Sequence, residues 1–200
     1  MKRITKFCIC LLTVALATSS VYAKPENTKG YEKSIELTGG FGLSQYTKYS
    51  LGVSMMNGYR VNPYFYVGAG IGFRYSDLLY YTSWNGDEHY KSFDGKYLIQ
   101  PWLRLKGNMT ATKFSPYVVL DAGWTFDVGQ NPNKNAKGLF FEPQLGMDFH
   151  LQGKQVFYFT IGVNLQDYQC MHFNTGEHDP GTSTSRYYVG TLAFHLGFQF

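Results

Sequence analysis

The sequence predicts an all-β protein, an eight-stranded antiparallel up-and-down transmembrane β-barrel. Three observations lead to this prediction. The final stretch alternates large apolar residues with small or polar ones, seven earlier stretches repeat that alternation, and the chain starts with a secretory signal. An alternation with a period of two is typical of a strand. An apolar outside combined with a polar inside is typical of strands that cross a membrane in a closed barrel.

The final stretch, residues 186–200, shows the alternation most clearly. Its even positions carry the large residues, among them Phe194, Leu196, Phe198 and Phe200, and its odd positions are mostly small or polar. This stretch resembles the closing strand of bacterial outer-membrane barrels, whose terminal aromatic residue and alternating apolar residues are read by the barrel-assembly machinery. The resemblance implies that Phe198 and Phe200 form the assembly signal and that this machinery is a partner.

Residues 1–23 are predicted to be a signal peptide, and residues 24–200 the barrel domain. Three basic residues within the first six positions precede an apolar run at residues 7–17, and small residues lead to Ala23. A basic start, a short apolar run and a small-residue cleavage site are the parts of a secretory signal. The apolar run is too short for a membrane-spanning helix, which needs about 20 residues. We therefore expect export and a location in the outer membrane.

The composition excludes nucleic acid as a partner and an internal disulfide. Cleavage after Ala23 removes three of the 18 basic residues and leaves the rest nearly balanced by 14 acidic ones, so no basic excess remains to attract nucleic acid. Cys8 and Cys10 leave with the signal peptide, and Cys170 has no cysteine to pair with. The 22 glycines and the aromatic content of 18% suit a barrel that presents every second residue to lipid.

Eight alternating stretches are predicted to be the strands. They cover residues 31–44, 49–56, 63–75, 97–105, 116–127, 141–151, 157–166 and 186–200. The connections after strands three, five and seven are long or strongly polar, and those after strands two and six are short. Outer-membrane barrels have short periplasmic turns and longer extracellular loops. This parity therefore predicts that the chain starts on the periplasmic side.

Four of the predicted connections have clear bounds in the sequence. Residues 60–63 form a turn marked by Asn62-Pro63, and residues 106–115 form a polar turn. Residues 76–95 form a large exposed loop or the tip of an extended hairpin, and residues 167–185 form the last long loop.

Two strand openings extend the resemblance along the chain. The stretches PYFYVGAGIGFRYS and SPYVVLDAGWTF combine proline, aromatic residues and glycine. With them, nearly the whole mature chain resembles the small eight-stranded barrels of the OmpX and OmpA-transmembrane type, within the outer-membrane β-barrel family of Gram-negative bacteria. The resemblance implies a barrel fold and contact with outer-membrane lipid and lipopolysaccharide. It implies no cofactor and no particular activity.

Ten ionisable side chains are predicted to face the lumen as a polar network. They are Glu36, Arg60, Arg74, Arg104, Asp121, Asp127, Glu142, Asp148, His150 and His195. Side chains just fill the interior of an eight-stranded barrel, and isolated buried charges are costly. We therefore expect paired charges that plug the lumen of a non-enzymatic protein. A narrow porin-like channel for small solutes and a barrel-embedded enzyme that modifies lipid or lipopolysaccharide are the alternatives.

No catalytic or metal site is predicted. His150 and His195 are expected in the periplasmic half, where Asp148 could pair with them, but a catalytic base needs a nucleophile and no His-x-Ser pair occurs in the sequence. The last loop carries residue types that can bind metals, in a spacing that matches no established zinc site. They are Cys170, His172, His178 and Asp179.

The segment between strands three and four supplies the candidates for contact with another molecule. They are Tyr80, Tyr81, Trp84, Asp87, Glu88, His89 and Tyr90. Aromatic and charged side chains on a protruding hairpin are suited to binding an extracellular protein or glycan. Tyrosine and tryptophan also form the interfacial girdle of any membrane barrel, so both interpretations stand.

Overall fold

The computed structural model of the protein describes residues 29–85, 88–129, 137–151, 155–174 and 181–200. The eight strands are β1 (Gly30–Gly42), β2 (Thr47–Asn62), β3 (Phe65–Asn85), β4 (Glu88–Asn108), β5 (Phe114–Asp127), β6 (Lys137–His150), β7 (Val156–Asn174) and β8 (Gly181–Gln199). The predicted signal peptide lies outside the described residues. Within the described ranges, no helix is long and apolar enough to cross a membrane.

The eight strands form one closed barrel. Each strand pairs with the next one along the chain, and β8 pairs back with β1. All of these pairings are antiparallel, and at the closing seam Ser34 faces Gln199 while Gly42 faces Thr191. Because every strand has two neighbours, the barrel has no open edge. The predicted eight-stranded antiparallel barrel is confirmed.

The two faces of each strand have opposite character. On β1, Leu37 is 57% exposed on the outside while the neighbouring Glu36 is buried inside, and on β8 Leu196 is exposed while His195 is buried. All eight strands expose large apolar residues in this way. A water-soluble barrel would not show so continuous an apolar surface. A lipid-facing exterior around a polar interior is the pattern of a transmembrane barrel.

Aromatic side chains gather near both ends of this apolar surface. We call the end where β1 begins and β8 finishes the termini end, and the opposite one the hairpin end. Towards the hairpin end, the ring of Tyr75 lies 6.1 Å from that of Tyr49 and 5.4 Å from that of Tyr97. Towards the termini end, Phe114 and Phe149 meet edge to face at 5.6 Å. Aromatic belts at both membrane interfaces are a regular feature of such barrels.

Two long hairpins rise at the hairpin end, on opposite sides of the barrel. In the β3–β4 hairpin, pairing continues until Asn85 faces Glu88, so the predicted segment 76–95 is an extended hairpin. In the β7–β8 hairpin, pairing continues until Asn174 faces Gly181. The predicted loop is therefore wrong for residues 167–174 and 181–185, which belong to strands, and residues 175–180 lie outside the described residues. Tyr168 and Phe173 on β7 and Thr182 and Thr184 on β8 are residue types that favour strands even where the surrounding sequence is polar.

The predicted turns at residues 60–63 and 106–115 are also too long. Strand β2 continues to Asn62, β4 continues to Asn108, and β5 begins at Phe114. Polar residues at the strand ends resemble turn residues in the sequence. Arg60, Lys106 and Asn108 nevertheless belong to the strands, because their side chains are buried in the polar lumen and find hydrogen-bond partners there.

Candidate functional site

The candidate functional site is the polar interior of the barrel. Halfway along the lumen, five ionisable side chains from five strands meet, and we call them the central layer. They are Glu36 of β1, Arg104 of β4, Asp121 of β5, Glu142 of β6 and His195 of β8, and each is no more than 3% exposed. The alternation of each strand turns these residues inward, and closure of the barrel brings them together.

Arg104 is the centre of this layer. Its Nε and Nη2 donate to the two carboxylate oxygens of Asp121 at 2.7 and 2.6 Å. Asp121 lies directly opposite Arg104 on the neighbouring strand. The remaining nitrogen, Nη1, reaches across the lumen and donates to Glu36 Oε2 at 2.9 Å. A planar guanidinium fits two carboxylates at once, and such charge-assisted hydrogen bonds are the strong ones in proteins.

His195 forms the second junction of the central layer. Its Nδ1 lies 2.8 Å from Glu36 Oε1 and 3.2 Å from the hydroxyl oxygen of Thr38. On the other side of the ring, Nε2 is hydrogen-bonded to Glu142 Oε1. Glu142 Oε2 in turn accepts a hydrogen bond from Asn164 Nδ2 at 2.7 Å. One imidazole ring thus connects β8 to β1 and to β6.

A small cavity of about 20 Å³ lies beside this layer, which is room for about one water molecule. Arg74 borders it, with its Nη2 3.8 Å from Glu142 Oε2. Trp102 fills the adjoining space, since a Cβ atom added at Gly70 would lie 2.6 Å from its ring. Within the part of the chain that is described, the indole nitrogen of Trp102 and the hydroxyl of Ser54 have no hydrogen-bond partner.

A second polar cluster occupies the lumen near the termini end. Lys106 Nζ donates to Asp148 Oδ1 at 2.7 Å, and Asn108 Nδ2 donates to Asp148 Oδ2 at 2.8 Å. Arg60 forms a salt bridge with Glu32, with Nε and Oε1 2.5 Å apart. Sequence reasoning missed Glu32, Lys106 and Asn108. The continued alternation of β1 and β4 was the signal that would have placed them inside.

The expected position of His195 beside Asp148 is wrong. His195 does not share the termini end with Asp148, and it contacts Glu36 and Glu142 in the central layer instead. His150 is half-buried at the end of β6. Asp148 uses its two oxygens for Lys106 and Asn108. Counting residues back from the strand end misplaced His195. Barrel strands are tilted and staggered, so residues at equal distances from the ends of different strands lie at different levels along the barrel axis.

The lumen changes character near the hairpin end. Four buried side chains from opposite walls, Leu78, Leu98, Tyr168 and Val189, pack together, and two further tyrosines pack against them. We call this group the apolar cap. Just below it, Gln100 Nε2 donates to the hydroxyl of Thr125 at 2.8 Å. The alternation along residues 97–105 predicts that Leu98 points inward, but the sequence does not indicate that apolar side chains form a layer in the polar lumen.

The remaining predicted site residues lie on both faces of the barrel wall. Arg74 and Asp127 point into the lumen, and the Asp127 carboxylate lies 3.8 Å from Lys96 Nζ. Phe198 and Phe200 lie on the outside, with ring centroids 6.2 Å apart. The contact candidates belong to the β3–β4 hairpin, except Asp87, which lies outside the described residues, as do the side chains of all seven.

The side chains of the four metal-capable residues at 170–179 also lie outside the described part. Among the residues that are described, no group of histidine, cysteine, aspartate and glutamate is arranged to hold a metal ion.

No protein-family model and no curated protein matches this sequence. Solved structures do match its fold. The chain superposes on OprG, an outer membrane protein from Pseudomonas aeruginosa, with a TM-score of 0.58 at 13% sequence identity, over 88% of this chain and 98% of that one. For Neisserial surface protein A (NspA) the TM-score is 0.55 at 8% identity, over 86% and 97%.

The outer membrane protein AlkL, whose structure was determined in lipid bilayers, gives a TM-score of 0.54 at 12% identity, over 90% of this chain and 93% of AlkL. At these identities the likeness concerns the fold. It confirms at that level the resemblance that the strand patterns indicated. The chain has the fold of the small eight-stranded outer-membrane β-barrels.

Proposed function

We propose that this chain is an exported, integral outer-membrane protein with a closed lumen and no catalytic activity. It stabilises the envelope or binds an extracellular protein or glycan through its long hairpins. Residues 1–23 direct export, and Phe198 and Phe200 are read by the barrel-assembly machinery. The exposed apolar surface contacts membrane lipid and lipopolysaccharide. The likeness in fold to outer-membrane proteins supports this location.

The central layer is the observation that carries the closed lumen. Arg104 on one wall is hydrogen-bonded to Glu36 on another, and His195 connects three strands. The neighbouring cavity has room for about one water molecule. A solute would have to separate these buried charge pairs to pass, and leaving even one buried charge without its partner costs about 3–5 kcal/mol.

The apolar cap supports the same conclusion at the hairpin end. Leu98 is fully buried there among apolar side chains from β3, β7 and β8. Hydrophobic constrictions exclude ions because ions give up their hydration shell only at a high cost in free energy. Two barriers of opposite chemistry therefore lie in series along the lumen, which disfavours the narrow channel.

The enzyme alternative can be compared directly with catalytic geometry. Thr38, His195 and Glu142 stand in the order hydroxyl, imidazole, carboxylate, which is the order of a nucleophile, a base and an orienting group. All three are buried in the lumen. The ring nitrogen that faces the hydroxyl is also engaged by Glu36 at 2.8 Å. A lipid substrate has no room to approach this hydroxyl, which supports a non-enzymatic protein.

The test of the closed lumen is conductance across a planar lipid bilayer. We expect the purified, refolded chain to give no reproducible current steps. Insertion is checked in parallel by the faster gel mobility of unboiled samples and by protease cleavage confined to the hairpin end. Regular current steps from protein that passes both checks would establish the channel instead.

A second experiment tests the surface role. Cells that display the full chain are compared on glycan and extracellular-protein arrays with cells that display a variant whose β3–β4 hairpin is shortened to end near Tyr75 and Lys96. We expect binding by the full chain and its loss in the variant. Equal binding by both would contradict a role for this hairpin, and binding by neither would leave the envelope-stabilising role.

A further inference from the structure

We propose that His195 binds a proton within the folded barrel at neutral pH and, as an imidazolium, donates hydrogen bonds to both Glu36 and Glu142. The hydrogen bonds around the ring support this inference. It goes beyond the proposed function, and it holds whether or not the lumen conducts. The ligand of this site is the proton itself.

The surroundings of Glu36 make Nδ1 of His195 a donor. Glu36 accepts hydrogen bonds from Arg104 Nη1 at 2.9 Å and from the Tyr158 hydroxyl at 3.1 Å. Arg104 Nη2 also lies 3.4 Å from Glu36 Oε1, so the guanidinium charge faces both oxygens and stabilises the ionised carboxylate, which can only accept. The Nδ1 atom at 2.8 Å must then carry a hydrogen. The Thr38 hydroxyl oxygen at 3.2 Å can share that hydrogen.

The surroundings of Glu142 decide where the second hydrogen lies. Asn164 Nδ2 and Gln144 Nε2 donate to its two oxygens at 2.7 and 3.2 Å. The Arg74 guanidinium adds a positive charge 3.8 Å away. Two donors and a neighbouring cation stabilise the ionised carboxylate. The hydrogen between Glu142 and His195 therefore belongs to Nε2, and both ring nitrogens are donors.

Charge balance across the lumen agrees with this assignment. Six of the strands around the ring contribute a charged or polar group, namely Glu36 of β1, Arg74 of β3, Arg104 of β4, Asp121 of β5, Glu142 of β6 and Tyr158 of β7. Three carboxylates face two guanidinium groups. The imidazolium supplies the third positive charge, and without the proton one buried negative charge would remain uncompensated, which is costly.

The decisive measurement is nitrogen NMR of the full chain, labelled with ¹⁵N-histidine and refolded in detergent micelles at pH 8. A free imidazole has a pKa near 6.5, so about 97% of it is neutral at pH 8. We expect one histidine to show two protonated ring nitrogens, and this signal to vanish in His195→Gln and persist in His150→Gln. A single-tautomer signal for His195 would overturn the proposal.

Infrared spectroscopy of the unchanged protein covers the case in which His195→Gln fails to fold. If Glu142 held the proton, a carbonyl stretch of a buried carboxylic acid would be present at pH 8 and would disappear in Glu142→Gln. We expect no such band. Its presence would place the proton on the carboxyl group and refute an imidazolium at His195.

Discussion

The two faces of a single strand of this barrel differ in how strictly they specify their residues. On β4, Leu103 and Arg104 are neighbours in sequence, yet Leu103 is 65% exposed on the outside and Arg104 is 3% exposed inside. Leu103 needs only an apolar environment, which lipid supplies equally to any aliphatic side chain. Arg104 needs two carboxylates, contributed by β5 and β1, in a fixed geometry.

This difference indicates which face determines membrane residence and which face determines the specific side-chain pairing of the barrel. The outer face accounts for residence in a membrane and tolerates exchange among apolar residues. The inner face is a set of specific pairs in which one lost partner leaves a buried charge behind. Substitutions on the inner face should therefore have large effects that matched second substitutions reverse, whereas effects on the outer face should follow polarity alone.

The largest effect is expected for Arg104→Met. The substitution leaves Asp121 buried without its cation and removes one of the two positive partners of Glu36. Loss of one partner from a buried ionic group typically costs about 3–5 kcal/mol. Urea-induced unfolding in detergent micelles, followed by tryptophan fluorescence, measures this loss. A change below about 1 kcal/mol would show that water reaches the central layer and solvates the carboxylates.

The triple variant Glu36→Gln, Arg104→Met and Asp121→Asn is the matched control. Because Arg104 and its two carboxylates lose their charges together, Glu142, Arg74 and His195 remain, and they balance once His195 is a neutral imidazole, so no buried charge is left unpaired. Replacing a whole buried ionic cluster is often close to neutral. We therefore expect the triple variant to recover most of the stability that Arg104→Met loses.

The next largest effect is expected on the outer face, for Leu103→Arg. An arginine on the lipid side near the middle of the membrane costs about 2–4 kcal/mol. The control Leu103→Ile keeps an aliphatic side chain and should change the free energy of unfolding by less than about 1.5 kcal/mol. Both variants are compared in the same refolding assay in lipid vesicles. Equal stability of the two would contradict a lipid-facing position for Leu103.

The barrel itself was predictable because alternation is a local signal. Each strand shows its two faces through neighbouring residues such as Leu196 and Phe198 against His195 and Gln199. The closed topology is expected because a chain that crosses a membrane with strands must pair every strand edge, and an even number of strands brings both ends to the same side. Strand ends were predicted less well. Lys106 and Asn108 look like turn residues, but a polar lumen lets polar residues continue a strand.

The pairing inside the lumen was not predictable. Inward direction is visible in the sequence, but Arg104 meets Glu36 from a strand 68 positions away, and His195 meets Glu36 from 159 positions away. Such meetings depend on the stagger of all eight strands around the barrel. Alternation alone does not encode that stagger. The sequence therefore indicated inward charges such as Glu36 and Arg104, although it missed Glu32 and Lys106, whereas only the closed structure reveals which charges are partners.

The smallest of the three effects is expected from adding one methyl group. This test compares how tightly the inner and outer faces are packed, not how their charges are paired. A Cβ atom at Gly70, inside the lumen, would lie 2.6 Å from the Trp102 ring, whereas at Gly190 its nearest contact would be Leu43 Cβ at 3.7 Å. We expect Gly70→Ala to lose about 1–3 kcal/mol through overpacking and Gly190→Ala to stay within about 0.5 kcal/mol of the unchanged protein. Adding Trp102→Leu to Gly70→Ala removes the clashing ring and should restore part of the loss. If both alanine variants behaved alike in urea unfolding, the lumen would be loosely packed, and the closed interior would have to rest on its charge pairs alone.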